Sequence, residues 1–243
     1  VTGPDQPFRL GYVPGATPAK WARIWAERST KPLDLVAVAA AGAERAVRDG
    51  AVDAALVRLP VDREGLHAIP LYTETSVVVV PKDHVIAAAD EVTADDIADD
   101  VVFHPLDDAL DWAAPPGKPA IERPATTPDA LELVAAGVGV VVVPQSLARL
   151  YHRRDLTYRP ITGVPESPVA LCWLEDRADD DIELFIGIVR GRTVNSSRGS
   201  QESQQQPQRE SRQQPPKRSE PGGRRAANRA RTAQRGGSKR RRP

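Results

Sequence analysis

Residues 42–59 read GAERAVRDGAVDAALVRL, and the two halves of this stretch decide the fold class. Gly42–Asp49 is predicted as a helix, closed by Gly50 in the left-handed conformation that commonly ends one. Val52–Leu59 follows as a nearly continuous apolar strand, the pattern of a parallel sheet covered on both faces. A helix feeding directly into a doubly buried strand is a unit of an α/β protein.

The flanks repeat that alternation. Phe8–Val13 alternates at period two and predicts a strand, broken by Pro14-Gly15-Ala16-Thr17-Pro18. Thr17 suits a helix cap and Pro18 the first helical position, with Trp21, Ile24 and Trp25 facing a core. Leu33–Ala39, Ser76–Val80, Val101–His104, Val138–Val143 and Val169–Leu174 read as further strands. Thr93-Ala94-Asp95-Asp96 resembles a capping box, and Thr127-Pro128-Asp129 repeats the Thr-Pro helix start, with Gly137 as its stop. Gln145–His152 and Asp179–Arg190 complete the helices, the latter with Ile182, Phe185, Ile186 and Val189 on one face. The expected class is α/β with mostly parallel sheets.

Charge divides the 243 residues in two. Residues 195–243 hold 14 Lys and Arg against 3 Asp and Glu, a net of +11, which leaves 19 against 30 and a net of −11 for residues 1–194. The formal zero is two opposed charges, as in a folded domain with a charged interaction tail. The tail has no large apolar side chain, so burial cannot offset its ordering entropy, and it is expected to be disordered. A single cysteine, Cys172, excludes an internal disulfide. No apolar run approaches the roughly 18 residues of a membrane span, and no secretory signal is evident, so the expected compartment is the cytoplasm, with no membrane partner.

An ordered set of segments resembles a known family. Gly50–Val57, Gly65-Leu66, Pro70–Glu74, Val77–Pro81, His84, Val92–Ala98 and Leu133–Pro144 are together similar to the effector-binding (substrate-binding) domain of LysR-type transcriptional regulators. The resemblance runs from Phe8 to about Arg190 and implies a two-lobed, periplasmic-binding-protein-like (type 2) fold with two crossover segments. Carried over, lobe I takes residues 1–80 and 163–194 and lobe II residues 81–162, with residues 195–243 as the basic tail. It implies a small effector in the interlobe cleft, biasing the arrangement of a dimer or tetramer on DNA. The family's winged helix-turn-helix has no counterpart before Phe8. The expectation is therefore a trimmed chain or a sensing domain without that reader.

The two Thr-Pro helix starts fall one in each proposed lobe. If both face the crevice, their free N–H groups and dipoles favour a small anion. The resemblance assigns Gly15, Ala16 and Thr17, with Thr126 and Thr127, to the neighbourhood of the effector, and Phe103 and His104 to a strand end beside it. Ala40 stands where family members often carry a hydroxyl. Simple capping also accounts for the threonines. His104 reads as a pH-sensitive ligand contact or, more readily, as a satisfied or surface histidine, and Arg58 suits either a ligand carboxylate or an ordinary salt bridge. Asp129 would repel an anion and Lys20 would help one.

Catalytic patterns are missing. His67, His84, His104 and His152 show no metal-ligand spacing, and there is no G-x-S-x-G elbow or P-loop. Gly137-Val138-Gly139 precedes a strand, so it is not a dinucleotide fingerprint, and Cys172 reads as a small core hydrophobe. The Asp107/Asp108/Asp111 and Asp179–Asp181 clusters read as solvated faces. No cofactor, metal or enzymatic activity is expected. Arg224, Arg225, Arg229, Arg231, Arg235, Lys239, Arg240, Arg241 and Arg242 form a basic series without aromatics, suited to sequence-blind binding of DNA or RNA. The leading expectation is an effector-sensing, regulator-like protein, with a homodimer as the simplest assembly. A solute-binding protein or an interaction module without a DNA role are the alternatives, and an enzyme on this fold is a further rival.

Overall fold

The computed structural model describes residues 6–177 and 179–192. The expected tail and its arginines lie outside the described residues. Five strands form the first sheet, in the order β2-β1-β3-β11-β4: β1 (Phe8–Tyr12), β2 (Leu33–Ala37), β3 (Ala54–Arg58), β4 (Leu66–Glu74) and β11 (Ser167–Leu174). Six form the second, in the order β6-β10-β5-β9-β7-β8: β5 (Ser76–Pro81), β6 (Val92–Thr93), β7 (Val101–Phe103), β8 (Lys118–Pro119), β9 (Val140–Pro144) and β10 (Leu156–Thr162). The helices are α1 (Ala19–Arg28), α2 (Ala43–Arg48), α3 (Thr127–Ala135), α4 (Gln145–Leu150) and α5 (Asp180–Val189). The chain crosses between sheets twice, at Thr75 and between Thr162 and Ser167.

Two expectations change here. Ser76–Val80, expected in lobe I, belongs to the second sheet, because β5 pairs with β9 and β10 and with no strand of the first sheet. The sheets are also mixed. β1 runs parallel to β2 and β3, and β7 parallel to β8 and β9, but every antiparallel pair contains β5 or β11, the strands that begin just after a crossover.

Each lobe closes on its own core. In lobe I, Phe8, Trp25 and Phe185 meet with ring centroids 4.9–5.9 Å apart, joining β1, α1 and α5. The Trp25 indole N–H, which would otherwise be buried unpaired, donates to the Lys31 carbonyl at 2.7 Å. In lobe II the valine run of β5 is split by its pleat. Val77 and Val79 pack with Leu131 and Val134 on the α3 side, whereas Val78 and Val80 pack with Ile97 and Ile161 on the other. Burial on both faces is why that run shows no alternation. β4 and β10 carry no clear strand signal because Pro70 and Pro160 interrupt them. Pro70 is accommodated at a register shift opposite Val169/Ala170, where a strand tolerates proline.

Candidate functional site

Two adjoining cavities lie between the lobes. The larger, about 660 Å³, is walled by the β1–α1 turn (Pro14 to Thr17), the end of β2 (Ala37 to Ala39) and α4 with Tyr151. The smaller, about 120 Å³, is lined by Ala40, Arg58, Asp107 and Thr127 among others, and shares Pro14, Ala39 and Tyr151 with its neighbour. Both sit at carboxyl ends of strands, where open α/β sheets bind ligands.

Arg58, at the end of β3, is the hub behind this cleft. Its Nη1 donates to Glu74 Oε2 at 3.0 Å and to Ser167 Oγ at 2.8 Å, and its Nη2 to the Pro14 carbonyl at 3.0 Å and to Ser146 Oγ at 3.2 Å. Ser146 in turn donates to Glu74 at 2.6 Å. The side chains of Arg58 and Glu74 are only 6% and 9% exposed, so the pair is nearly withdrawn from water. Through it, lobe I, both crossover segments and α4 of lobe II meet at one guanidinium. Ser76 Oγ adds a bond to the Pro165 carbonyl that ties the two crossovers together.

Gly15 is built into the same junction. Its φ of +85° is open to glycine at little cost, and a Cβ there would stand 2.3 Å from Ser146 Oγ. The turn and α4 therefore touch backbone to side chain.

The expected site residues are distributed as follows. Gly15, Ala16 and Thr17 line the larger cavity, and Arg58 and Thr127 the smaller. Thr17 makes no capping bond: α1 begins at Ala19, Pro18 is already helical, and the Thr17 hydroxyl reaches only the Gly15 carbonyl at 3.5 Å. The cap of α3 is Thr126 rather than Thr127. Thr126 Oγ1 accepts from the Asp129 amide, and the Asp129 carboxylate accepts from the Thr126 amide and hydroxyl. Thr127 is free to donate to Asp107 at 2.9 Å. Two carboxylates thus already occupy the start of α3, and the positive helix ends are not equivalent. Phe103 is buried in the lobe II core, and His104 pairs with Asp108 at 3.1 Å; neither lines the two interlobe cavities. Burial pushes the Asp108 carboxyl up, against hydrogen bonds from Leu110 and Trp112 and the charge of His104.

Sequence reasoning missed Ser146, Arg149, Tyr151, Tyr12 and Glu74. Ser146, Arg149 and Tyr151 sit in or just after a helix that periodicity finds, but which flank of that helix faces the cleft is set by lobe packing. Tyr151 walls both cavities, and burial raises its phenol, with Asp107 adding to the effect. Cys172 is buried, its thiol pushed up to about 11 by burial and, less, by Glu44. Among the described residues no three His, Cys, Asp or Glu side chains gather as a metal-ligand set, and no helix is long and apolar enough to cross a membrane.

Two sheets joined by paired crossovers around a cleft define a two-lobed α/β ligand-binding domain. The chain belongs to the LysR substrate binding domain family, which matches residues 32–193. It is similar to the Hca operon transcriptional activator HcaR of Escherichia coli K12, 27% identical over 207 residues, covering 79% of this chain and 69% of that protein. A probable hydrogen peroxide-inducible genes activator of Mycobacterium avium is 34% identical over 152 residues, 57% of this chain and 49% of that protein. The chain thus spans about half to two thirds of these relatives' length. Among solved structures, oxidized OxyR superposes with a TM-score of 0.64 at 20% identity, covering 77% of this chain and 96% of that one. The effector-binding domain of a BenM variant gives 0.65 at 18% identity, covering 79% and 97%. These likenesses show the two-lobed fold.

Proposed function

We propose that this domain is the signal-receiving part of a cytoplasmic transcriptional regulator, which binds a small anionic effector in the interlobe cleft without transforming it. The observation that carries the reading is the cavity of about 660 Å³ between the lobes, with Ser146 in its wall and the Arg58–Glu74 pair bonded to Ser146 behind it. A ligand against Pro14, Gly15 or Ser146 presses on the junction where both lobes and both crossovers meet. Its binding energy can thereby bias the lobe arrangement. The named relatives are regulators, which favours sensing over turnover.

One relative's name bears on the signal. The Mycobacterium avium protein is named as a probable activator of hydrogen peroxide-inducible genes. Peroxide chemistry on a thiol needs an accessible thiolate, and Cys172 is buried with its thiol raised to about 11. The reading here is accordingly a reversible, non-covalent ligand.

Thermal-shift screening of small carboxylic acids on the full chain tests this. Acids that stabilise the wild type should leave Ala39→Trp unmoved, because Ala39 lines both cavities. Equal stabilisation of both proteins would assign the binding elsewhere. For residues 195–243, the net charge of +11 supports sequence-blind attraction to nucleic acid. With about eight charges engaged, log K should fall with log salt at a slope of roughly −7. A gel shift that is identical for intact protein and protein ending at Val194 would remove this second role.

A further inference from the structure

Two arginines reach the cleft, and the geometry divides their work. Arg58 is consumed by the junction: four acceptors share its two terminal nitrogens, and Glu74 matches its charge. The smaller cavity that it lines also holds Asp107. Arg149 is placed differently. It lines the larger cavity from α4, its Nε donates to Tyr158 Oη at 3.3 Å, and among the described residues no carboxylate pairs with it.

The larger cavity has no acidic side chain in its wall. Its other polar side chains are the hydroxyls of Tyr12, Thr17, Ser146 and Tyr151. α1 opens beside it with no acidic residue in its first turn, in contrast to α3, where Asp129 holds the cap. The remaining wall is apolar, chiefly Ala37, Val38, Ala39 and Leu150. Residues 1–194 carry a net charge of −11, so the body as a whole repels anions and one unmatched guanidinium decides the local sign.

Resting on the effector reading above, we propose that Arg149 holds the effector's charge, and that the effector is a singly charged amphipathic anion. Its carboxylate or equivalent lies at Arg149 among the hydroxyls, and a short apolar body lies against Ala37–Ala39 and Leu150. A second negative charge finds no counter-charge there.

A cysteine placed across the cavity reads this directly. Ala39 is exposed on the lobe I wall, opposite α4, and native Cys172 is buried and stays silent. In the full chain bearing Ala39→Cys, the rate of modification by the sulfonate methanethiosulfonate reagent relative to the trimethylammonium reagent should exceed the same ratio for a small free thiol about threefold or more at low salt. Adding Arg149→Gln should erase the preference, and Arg149→Lys should keep it. A preference unchanged by Arg149→Gln, or a normalised ratio in the parent that favours the cationic reagent, overturns the assignment. Protection of the introduced thiol by hexanoate but not by hexanamide supports the ligand class. Equal protection by both overturns the charge requirement while leaving cleft binding intact, and protection by neither overturns this ligand class.

Discussion

Gly15 and Ser146 meet across the two lobes so closely that glycine is the residue the contact admits. The backbone at Gly15 is left-handed, at φ +85°, and a methyl there would lie 2.3 Å from Ser146 Oγ. Gly15→Ala should therefore carry two penalties, about 1–2 kcal/mol for the backbone and a steric displacement of α4 on top. Ser146→Gly in the same chain should recover the second penalty and not the first. Thermal melting of the single and double variants, with small-angle scattering to detect a wider lobe angle, checks the separation.

The Arg58–Glu74 pair gives a sharper test of what holds the crossovers. Glu74→Gln leaves a nearly buried guanidinium without its counter-charge, and losing one partner of such a pair costs about 3–5 kcal/mol. Replacing both, as Arg58→Met with Glu74→Leu, should cost much less, because the desolvation penalty goes with the charges. Urea unfolding of the three proteins measures this. Equal loss in the single and double variants would mean that the hydrogen bonds to Pro14, Ser146 and Ser167, which only the double variant gives up, matter as much as the ion pair.

Acid sensitivity should concentrate at Asp53. Its buried carboxylate is pushed up by burial, but hydrogen bonds from the Arg9 side chain and amide and from Arg177 more than offset this, so its pKa lies below the ordinary carboxylate value. A depressed folded-state pKa contributes stability that is present above the unfolded pKa of about 3.9 and is lost as pH falls through the folded value. The stability gap between wild type and Asp53→Asn should accordingly be widest near neutrality and shrink below about pH 4. A gap independent of pH from about 7 to about 3 would contradict this.

Cys172 should be chemically inert in the folded protein. With its thiol raised to about 11 and buried in β11, reaction with a disulfide reagent at neutral pH should follow unfolding rather than direct attack. Labelling in buffer against labelling in strong urea checks it. Cys172→Ala should leave small-molecule binding unchanged, whereas a loss of binding would reopen a redox role.

Much of the fold was legible from the chain alone. The strand and helix of residues 42–59, the Gly50 and Gly137 stops, the capping box at Thr93 and the Thr-Pro openings are short-range features, and structure places them within a residue or two. What escaped was β4 and β10, where proline hides the pattern, and the sheet to which β5 belongs. A run of valines buried on both faces has no preferred side, so only its pairing with β9 and β10 assigns it to lobe II.

Periodicity, capping and charge by themselves determined the α/β class and the two charged halves, and the resemblance of ordered segments such as Leu133–Pro144 to LysR-type effector domains implied two lobes and a cleft. The tertiary structure decided which arginine is spent and which is available. Arg58 is neutralised by Glu74, 16 residues away in sequence, and held by hydroxyls 88 and 109 residues away, and no local pattern encodes partners at such distances. Residues a few positions apart settle an element, but the charge a cleft offers a ligand is set by what packing brings together through space.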